Sequence, residues 1–242
     1  MPIKHCHLCG RRLRGKGWIY TPNGLPWSES DRGQAIVVCD ACQERAPRCD
    51  VCGTPMGRAP IRLPDERLIC ARCHQTAVYD HDQARALFER VISVVTRQLG
   101  LHLNVGADFT LADAMHMRRL AETSAHPPGD PSRLIGLFVR KGMARVMYAL
   151  SGLPQILLIQ TVAHEWAHAW QGENCPLLQD PLVTEGFAEW VAYKTLEAMG
   201  ATKTMAQMTR QNGPYGEGLR KMIALERDTG VPGVLAFCQR SE

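Results

Sequence analysis

The segment QTVAHEWAHAWQGEN contains His164-Glu165-x-x-His168. On a helix, residues i and i+4 lie one turn apart on the same face, so both imidazoles can reach one metal ion. Glu165 stands beside them, placed to take a proton from water that such a metal activates. HExxH arises by chance about 0.02 times in a chain of this composition, so the spacing carries information. A catalytic zinc needs a third protein ligand and an open position. Gln171 and Asn174 occupy the places where a metzincin would carry Gly and His, which excludes that class. Downstream, DPLVTEGFAEWVAY supplies Glu185 as third ligand, with Glu189 one turn later to accept the free N–H of a zinc-bound His. The reverse roles for these two carboxylates stay open. His, His and Glu with an open position is the pattern of a zinc hydrolase, with Glu165 as general base that later passes its proton to the leaving amine. Tyr215, in PYGEGLR, and His126 are candidates for a second donor to the oxyanion.

A second kind of metal chemistry fills the first third of the chain. Of ten cysteines, eight fall in C-x-x-C pairs: Cys6/Cys9, Cys39/Cys42, Cys49/Cys52 and Cys70/Cys73. Random placement would give about 0.4 such pairs. Two thiolates in a tight turn can point at one ion, and two turns complete a tetrahedron of sulfur ligands. Four pairs make two structural zinc sites. Sequential and cross-braced pairing both fit the spacing, and His5, His7 or His74 could replace a thiolate. Redox dithiols of the thioredoxin kind would come once, within a βαβ pattern that is absent here. Cys175, between the ligand segments, is either a loop cysteine or an inhibitory thiolate on the catalytic metal, and Cys238 has no evident role.

These residues need elements to hold them. Residues 1–78 are rich in Gly, Pro and Arg and poor in periodic apolar stretches, which predicts a small fold held by metal. From Asp80 onward Leu87, Val91, Val94 and Leu99 form a helical stripe ended by Gly100, so a second domain spans 79–242. There LHLNV reads as extended, Thr110-x-x-Asp113 as a capping box, and HPPGDP as a loop. RLIGLFVRKGMARVMYAL (133–150) reads as two β segments broken at Arg140-Lys141-Gly142, a hairpin whose edge within 134–148 could receive an extended substrate by strand addition. Ser151-Gly152-Leu153-Pro154 opens the HExxH helix, which runs to Gln171, and Asp180-Pro181 opens the next, closing at Gly200. Short helices follow within 202–212 and 216–229, with Gly230 as a stop. Trp166, Trp170 and Trp190 recur at helical spacing and read as core. The expected class is α+β: a mainly helical domain with a small sheet, preceded by a small two-zinc module.

The 242 residues, 45% hydrophobic and 21% charged, exclude a disordered chain. No apolar run approaches the ~18 residues of a membrane span, and MPIKHCHLCGRR has no secretory h-region. Ten cysteines without such a signal imply a reducing compartment, hence a cytoplasmic location and no membrane partner. The net charge of +4 could suggest nucleic acid. Residues 1–78 carry the excess, with 12 Lys and Arg against 7 Asp and Glu. Eight thiolates and two zinc ions would bring that module to about +1. A nucleic-acid partner is therefore not expected, although Trp18, Tyr20 and Trp27 supply aromatic residues in the module.

The order of motifs resembles the plant DA-one-type LIM-domain peptidases that limit organ growth. CHLC, VCDAC, RCDVC and ICARC carry the likeness in the first part, and SGLPQILLIQTVAHEWAHAW, TEGFAEW and YGEGLR in the second. TEGFAEW is also similar to the third-ligand segment of aminopeptidase-type gluzincins, where the Glu before Gly binds zinc; that match falls on Glu185. The resemblance implies a zincin-like, gluzincin-type peptidase fold, endopeptidase activity on proteins, and a LIM-like or zinc-ribbon double zinc module used for interaction or packing. Two departures stand out. A LIM domain separates its two sites by two residues and uses a His as third ligand, whereas here six residues separate Cys42 from Cys49 and Cys39 takes that place. The plant proteins are activated by ubiquitin through N-terminal helices, and no acidic amphipathic helix precedes the module here, so ubiquitin dependence does not carry over. The expected function is a zinc endopeptidase acting on protein or peptide substrates, with one catalytic and two structural zinc ions and a possible protein partner at the module. The alternative is an inert adaptor that uses the module to bind a partner.

Overall fold

A computed structural model describes residues 5–13, 17–21, 33–57, 59–123, 134–141, 144–177 and 180–241. Its contacts divide the chain into two units, Met1–Ala77 and Val78–Glu242. His126 and Trp27 lie outside the described residues.

The first unit repeats one small design. Strands β1 (Trp18–Tyr20) and β2 (Ile36–Val38) pair antiparallel, and helix α1 (Asp40–Arg45) follows; then β3 (Ile61–Arg62) and β4 (Leu68–Ile69) pair antiparallel, followed by α2 (Ala71–Gln75). In each half the first cysteine pair sits in a turn closed by a glycine of positive φ. Gly10 (φ 72°) donates its N–H to Cys6 O at 2.9 Å, and Gly53 (φ 67°) donates to Cys49 O at 2.8 Å. A side chain there would cost the left-handed penalty of roughly 1–2 kcal/mol. The second pair of each half opens a short helix, with Cys39 and Cys70 at the caps. Among the described residues, the buried apolar cluster beside the second set is Cys49, Met56, Leu63, Ile69 and Cys73, with Val51, Ile61, Leu68 and Cys70 partly buried against it, a small core to hold a fold without another tie.

The second unit begins at Val78, the last residue of β5 (Ala77–Val78), and continues with α3 (His81–Leu99). Asp80 caps α3 by accepting from Gln83 N, and Gly100 ends it in the left-handed region. Its buried face is Ala84, Leu87, Phe88, Val91, Val95 and Leu99. Val95 rather than Val94 faces the core, because a straight helix turns slightly past the i+3 position. LHLNV forms no strand; the strand comes later, as β6 (Asp108–Ala112). Thr110 is inside that strand, and Asp113 instead caps α4 (Ala114–Thr123), accepting from His116 N at 2.7 Å. Both residues have capping chemistry, and the β-branched one went to the strand. Strands β7 (Gly136–Lys141) and β8 (Ala144–Leu150) form the hairpin, and β8 also pairs parallel with β6, giving the order β6-β8-β7.

After the two-residue strand β9 (Leu153–Pro154), helix α5 (Gln155–Asn174) runs one turn longer than its sequence suggested. Helix α6 (Pro181–Ala198) starts where Asp180 accepts from Leu182 N, with Pro181 in its first turn. It is buried nearly all round by Val183, Phe187, Ala188, Trp190, Val191 and Leu196, as expected of a central helix. Helix α7 (Thr202–Met208) is short, and α8 (Gly213–Arg240) is made of two helical arms, the first of which stops at Gly230 as its sequence suggests. Gly230 kinks it (φ 69°, ψ 178°), and helix resumes with Pro232 in the first turn of the second arm, where proline needs no N–H partner. The core of this unit joins α3, α5, α6, α8 and the inner face of the sheet. Among the described residues, no helix is long and apolar enough to cross a membrane.

Candidate metal centres

Among the described residues, three clusters could hold a metal ion: Cys6, Cys9, Cys39 and Cys42; Cys49, Cys52, Cys70 and Cys73; and His164, His168 and Glu185. The pairing left open by spacing is sequential in the structure. Sulfurs bonded at ~2.3 Å around a tetrahedral zinc lie about 3.8 Å apart. Cys9 and Cys39 have Sγ atoms 3.8 Å apart, as do Cys52 and Cys70. Backbone N–H groups point at the sulfurs, from Cys39 to Cys6 at 3.4 Å and from Cys70 to Cys49 at 3.3 Å.

The electrostatics of the thiols agree with this pairing. Burial opposes ionisation of Cys6, but the amides of Cys39, Cys9 and Leu8 bring its thiol down to about 6. Cys42, faced by burial and by the other three sulfurs, is pushed up to about 12. In the second cluster Cys52 is held far below the thiol range by Cys49 and Cys73, while the same crowding drives Cys73 far above it. Four thiols this close cannot all ionise unless a cation shares the space. None of the three neighbouring histidines enters a cluster, and His7 is engaged elsewhere, its Nδ1 accepting from Val37 N at 2.8 Å.

The third cluster is built on two helices. Helix α5 turns His164 and His168 to one side, with Nε2 atoms 3.0 Å apart. Helix α6 brings Glu185 Oε2 to 3.4 Å from His164 Nε2 and 3.6 Å from His168 Nε2. Ligands at 2.0–2.1 Å around a tetrahedral ion are about 3.3 Å apart, so these atoms are spaced as ligands are. Glu185 Oε2 is buried and has no hydrogen-bond partner among the described residues; a buried carboxylate oxygen left that way is costly, and a cation between the three side chains would remove the cost. Burial works against the charge on Glu185, but His164 and His168 outweigh it and hold the carboxyl well below the usual range. Burial likewise lowers His164, while Glu185 and then Glu189 push it up to about 10.

The surrounding residues fix the two imidazoles. His164 Nδ1 lies 3.0 Å from Glu189 Oε1, in ion-pair range although off the line of a hydrogen bond. Glu189 is buried and is also reached by Gln160 Nε2 at 3.4 Å. His168 Nδ1 meets Gln171 Oε1 at 2.9 Å, and Gln171 Nε2 donates to Thr184 O at 3.1 Å. Gln171 thus ties His168 to the residue before Glu185. Sequence reasoning missed this role, although the position three residues after His168 on the same helix was a signal for it.

Two glycine contacts set the approach of the other elements. Gly136 on β7 lies so close to α5 that a Cβ there would come 2.4 Å from Thr161 Cγ2 and 2.8 Å from Glu165 Oε1. Where α6 crosses α8, Gly186 and Gly218 touch backbone to backbone; a Cβ on Gly218 would sit 2.5 Å from Gly186 Cα. That crossing explains both EGF and YGEGLR in physical terms. It brings Tyr215, near the start of α8, to the site: its ring stacks 6.0 Å from that of His164 at 27°. Burial raises its phenol, and the charges of Glu185, Glu189 and Glu165 raise it further, so it stays a donor at neutral pH. Cys175 does not join this cluster; it faces Cys238 instead, 3.5 Å away. The tryptophans are core: Trp166 Nε1 donates to Leu101 O, Trp190 Nε1 to Glu226, and Trp170 stacks on Phe187.

The chain is therefore an α+β protein with two four-cysteine clusters and a His/His/Glu cluster, each able to hold a metal ion. No family model matches it, and no solved structure does. Among curated proteins, Protein DA1 of Arabidopsis thaliana is 24% identical to it, across 74% of this chain and 40% of that protein's length. The chain thus spans about two fifths of that relative. The distant likeness and the two four-cysteine clusters fit a DA1-like protein.

Proposed function

We propose that the chain is a zinc-dependent endopeptidase of protein or peptide substrates, with one catalytic and two structural zinc ions. The observation that carries this reading is the third cluster: three ligand atoms 3.0–3.6 Å apart, with Glu165 next to His164 on the same helix. A site that used the metal only for structure would have no need of a base there. His164, His168 and Glu185 hold the ion, and Glu189 and Gln171 orient the two imidazoles. When bound, zinc supplies a Lewis acid that polarises the scissile carbonyl and lowers the pKa of water.

Glu165 takes the proton of the attacking water and later gives it to the leaving amine. Tyr215 donates its phenolic proton to the oxygen on which negative charge develops. β7 is one edge of the sheet order β6-β8-β7, and Gly136 packs it against Thr161 and Glu165. An extended substrate segment adds to that edge as a further strand, which favours unfolded or looped regions of protein. The cysteine-rich unit serves as a protein-interaction module: Trp18 and Ile19 are 52% and 53% exposed on β1. No nucleic-acid partner is part of the proposal.

The test is Glu185→Ala. The parent should carry three zinc per chain and cleave an unfolded protein; the variant should carry two and cleave none. A parent with two zinc, inactive on unfolded proteins, would favour the inert adaptor.

A further inference from the structure

Two thiols face each other in the interior of the second unit. Cys175 ends α5 and Cys238 lies in the last turns of α8; their sulfurs are 3.5 Å apart. Neither belongs to a cluster able to hold a metal among the described residues. With two sulfurs and no third donor, the pair lacks the coordination that zinc takes. Every other cysteine is in a four-cysteine cluster, where a bound metal occupies the sulfur lone pairs. A disulfide needs its sulfurs at about 2.05 Å, so an approach of about 1.5 Å from the present 3.5 Å closes the bond.

The pair is joined to the ligand set by one side chain. Gln171 Nε2 donates to Cys238 Sγ at 3.7 Å and to Thr184 O at 3.1 Å, while Gln171 Oε1 meets His168 Nδ1 at 2.9 Å. A single amide thus contacts the thiol, the ligand His168 and the residue preceding the ligand Glu185.

We propose that Cys175 and Cys238 form a reversible disulfide, and that the disulfide weakens metal binding at His164, His168 and Glu185 by drawing Cys238 away from Gln171. The disulfide stands on the thiol geometry alone; its effect on metal binding rests on the metal-centre reading above. The oxidant is a peroxide. Cys175, at a helix end and 6% exposed against 0% for Cys238, reacts first. The hydrogen bond from Cys238 lowers its thiol against the opposing effect of burial, and the same bond raises Cys238. The Cys175 thiolate attacks the O–O bond, giving a sulfenic acid and one water. The Cys238 sulfur then displaces the hydroxyl as a second water, and the S–S bond forms. Two thiols have lost two electrons and two protons, and one peroxide has taken them up.

The experiment treats the full, metal-loaded chain with stoichiometric hydrogen peroxide, alkylates it and maps peptides without reduction. A peptide linking Cys175 to Cys238 is expected, reversed by dithiothreitol and absent from Cys175→Ser and Cys238→Ser. The corresponding Ala variants serve if Ser unfolds the core. Competition with a chelator then counts metals. Loss of such an orienting contact weakens metal sites about 10–100-fold, so the oxidised parent should lose its third metal at about 10-fold lower chelator while keeping the two thiolate-bound metals. Gln171→Ala should do the same without peroxide, and the Ser variants should not respond to peroxide. No linked peptide, or one joining other cysteines, overturns the disulfide. A linked peptide with unchanged metal release overturns the coupling. A reduced parent holding only two metals overturns the coupling together with the metal-centre reading, while the linked peptide still decides the disulfide.

Discussion

Replacing Gly218 with alanine tests how the ligand helix is held. A Cβ at Gly218 would lie 2.4 Å from Leu182 O and 2.5 Å from Gly186 Cα, both backbone atoms with no rotamer to give way. Carbon atoms in contact rest at about 3.5–4.0 Å, so α6 and α8 must separate by about 1 Å. Overpacking of this kind costs about 1–3 kcal/mol, and unyielding backbone argues for the upper end. Alanine is the better helix former by about 1 kcal/mol, which leaves a net loss of about 2 kcal/mol. For a unit of this size that is about 4–8 °C in melting temperature. The assay is denaturant unfolding followed by tryptophan fluorescence, since Trp166, Trp170 and Trp190 all lie in the second unit. Gly106→Ala, where a Cβ meets nothing within 4 Å, should leave stability unchanged or raise it slightly. Separation of the helices also moves Glu185, next to Gly186, and Tyr215, one turn before Gly218, so metal affinity should fall with stability. A Gly218→Ala protein as stable as the parent would refute the claim that this crossing positions the site.

Three further outcomes follow from the same geometry. Gly136→Ala should lower turnover at least about 10-fold with all metals retained, because the new Cβ pushes on Glu165 and Thr161 and misplaced catalytic groups lose rate steeply; unchanged kcat would count against it. Tyr215→Phe should reduce kcat by about 100-fold while KM and metal content stay near the parent values, as loss of an oxyanion donor does; an effect confined to KM would assign Tyr215 to binding. His164 in the metal-free site is raised from 6.5 to about 10, so it is protonated at pH 8 and must lose its proton to bind metal. Calorimetry of metal uptake at the third site in buffers of different ionisation enthalpy should therefore show about one proton released at pH 8, and fewer as pH rises past about 10; no release at pH 8 would contradict the electrostatics of the site.

Much of this arrangement is readable from residue spacing, for local reasons. C-x-x-C followed by Gly is a turn before it is anything else, and i, i+4 histidines share a helix face in any fold. What needs three dimensions is less legible. Which cysteine pairs combine depends on how two hairpins fold back, and spacing is silent on that. Tyr215 reaches His164 only because two glycines let α6 and α8 touch, a contact between residues 186 and 218 with no local trace. Gln171 could have been noticed from its place on the helix, but its second partner, Thr184, is on another element. Thr110 and Asp113 both carry capping chemistry, and the sheet pairing of β6 with β8 decided between them. Gly230 reads as a stop, yet Val234 and Cys238 beyond it are buried in the core, so the helix resumes to cover it.

Glu165 is proposed as the base of a zinc endopeptidase. The direct measurement compares the parent with Glu165→Gln for cleavage of an unfolded protein and for zinc per chain, side by side. Three zinc in both proteins and cleavage by the parent alone are expected. Cleavage that survives Glu165→Gln, or a parent that holds three zinc and cuts no unfolded protein, would contradict that role.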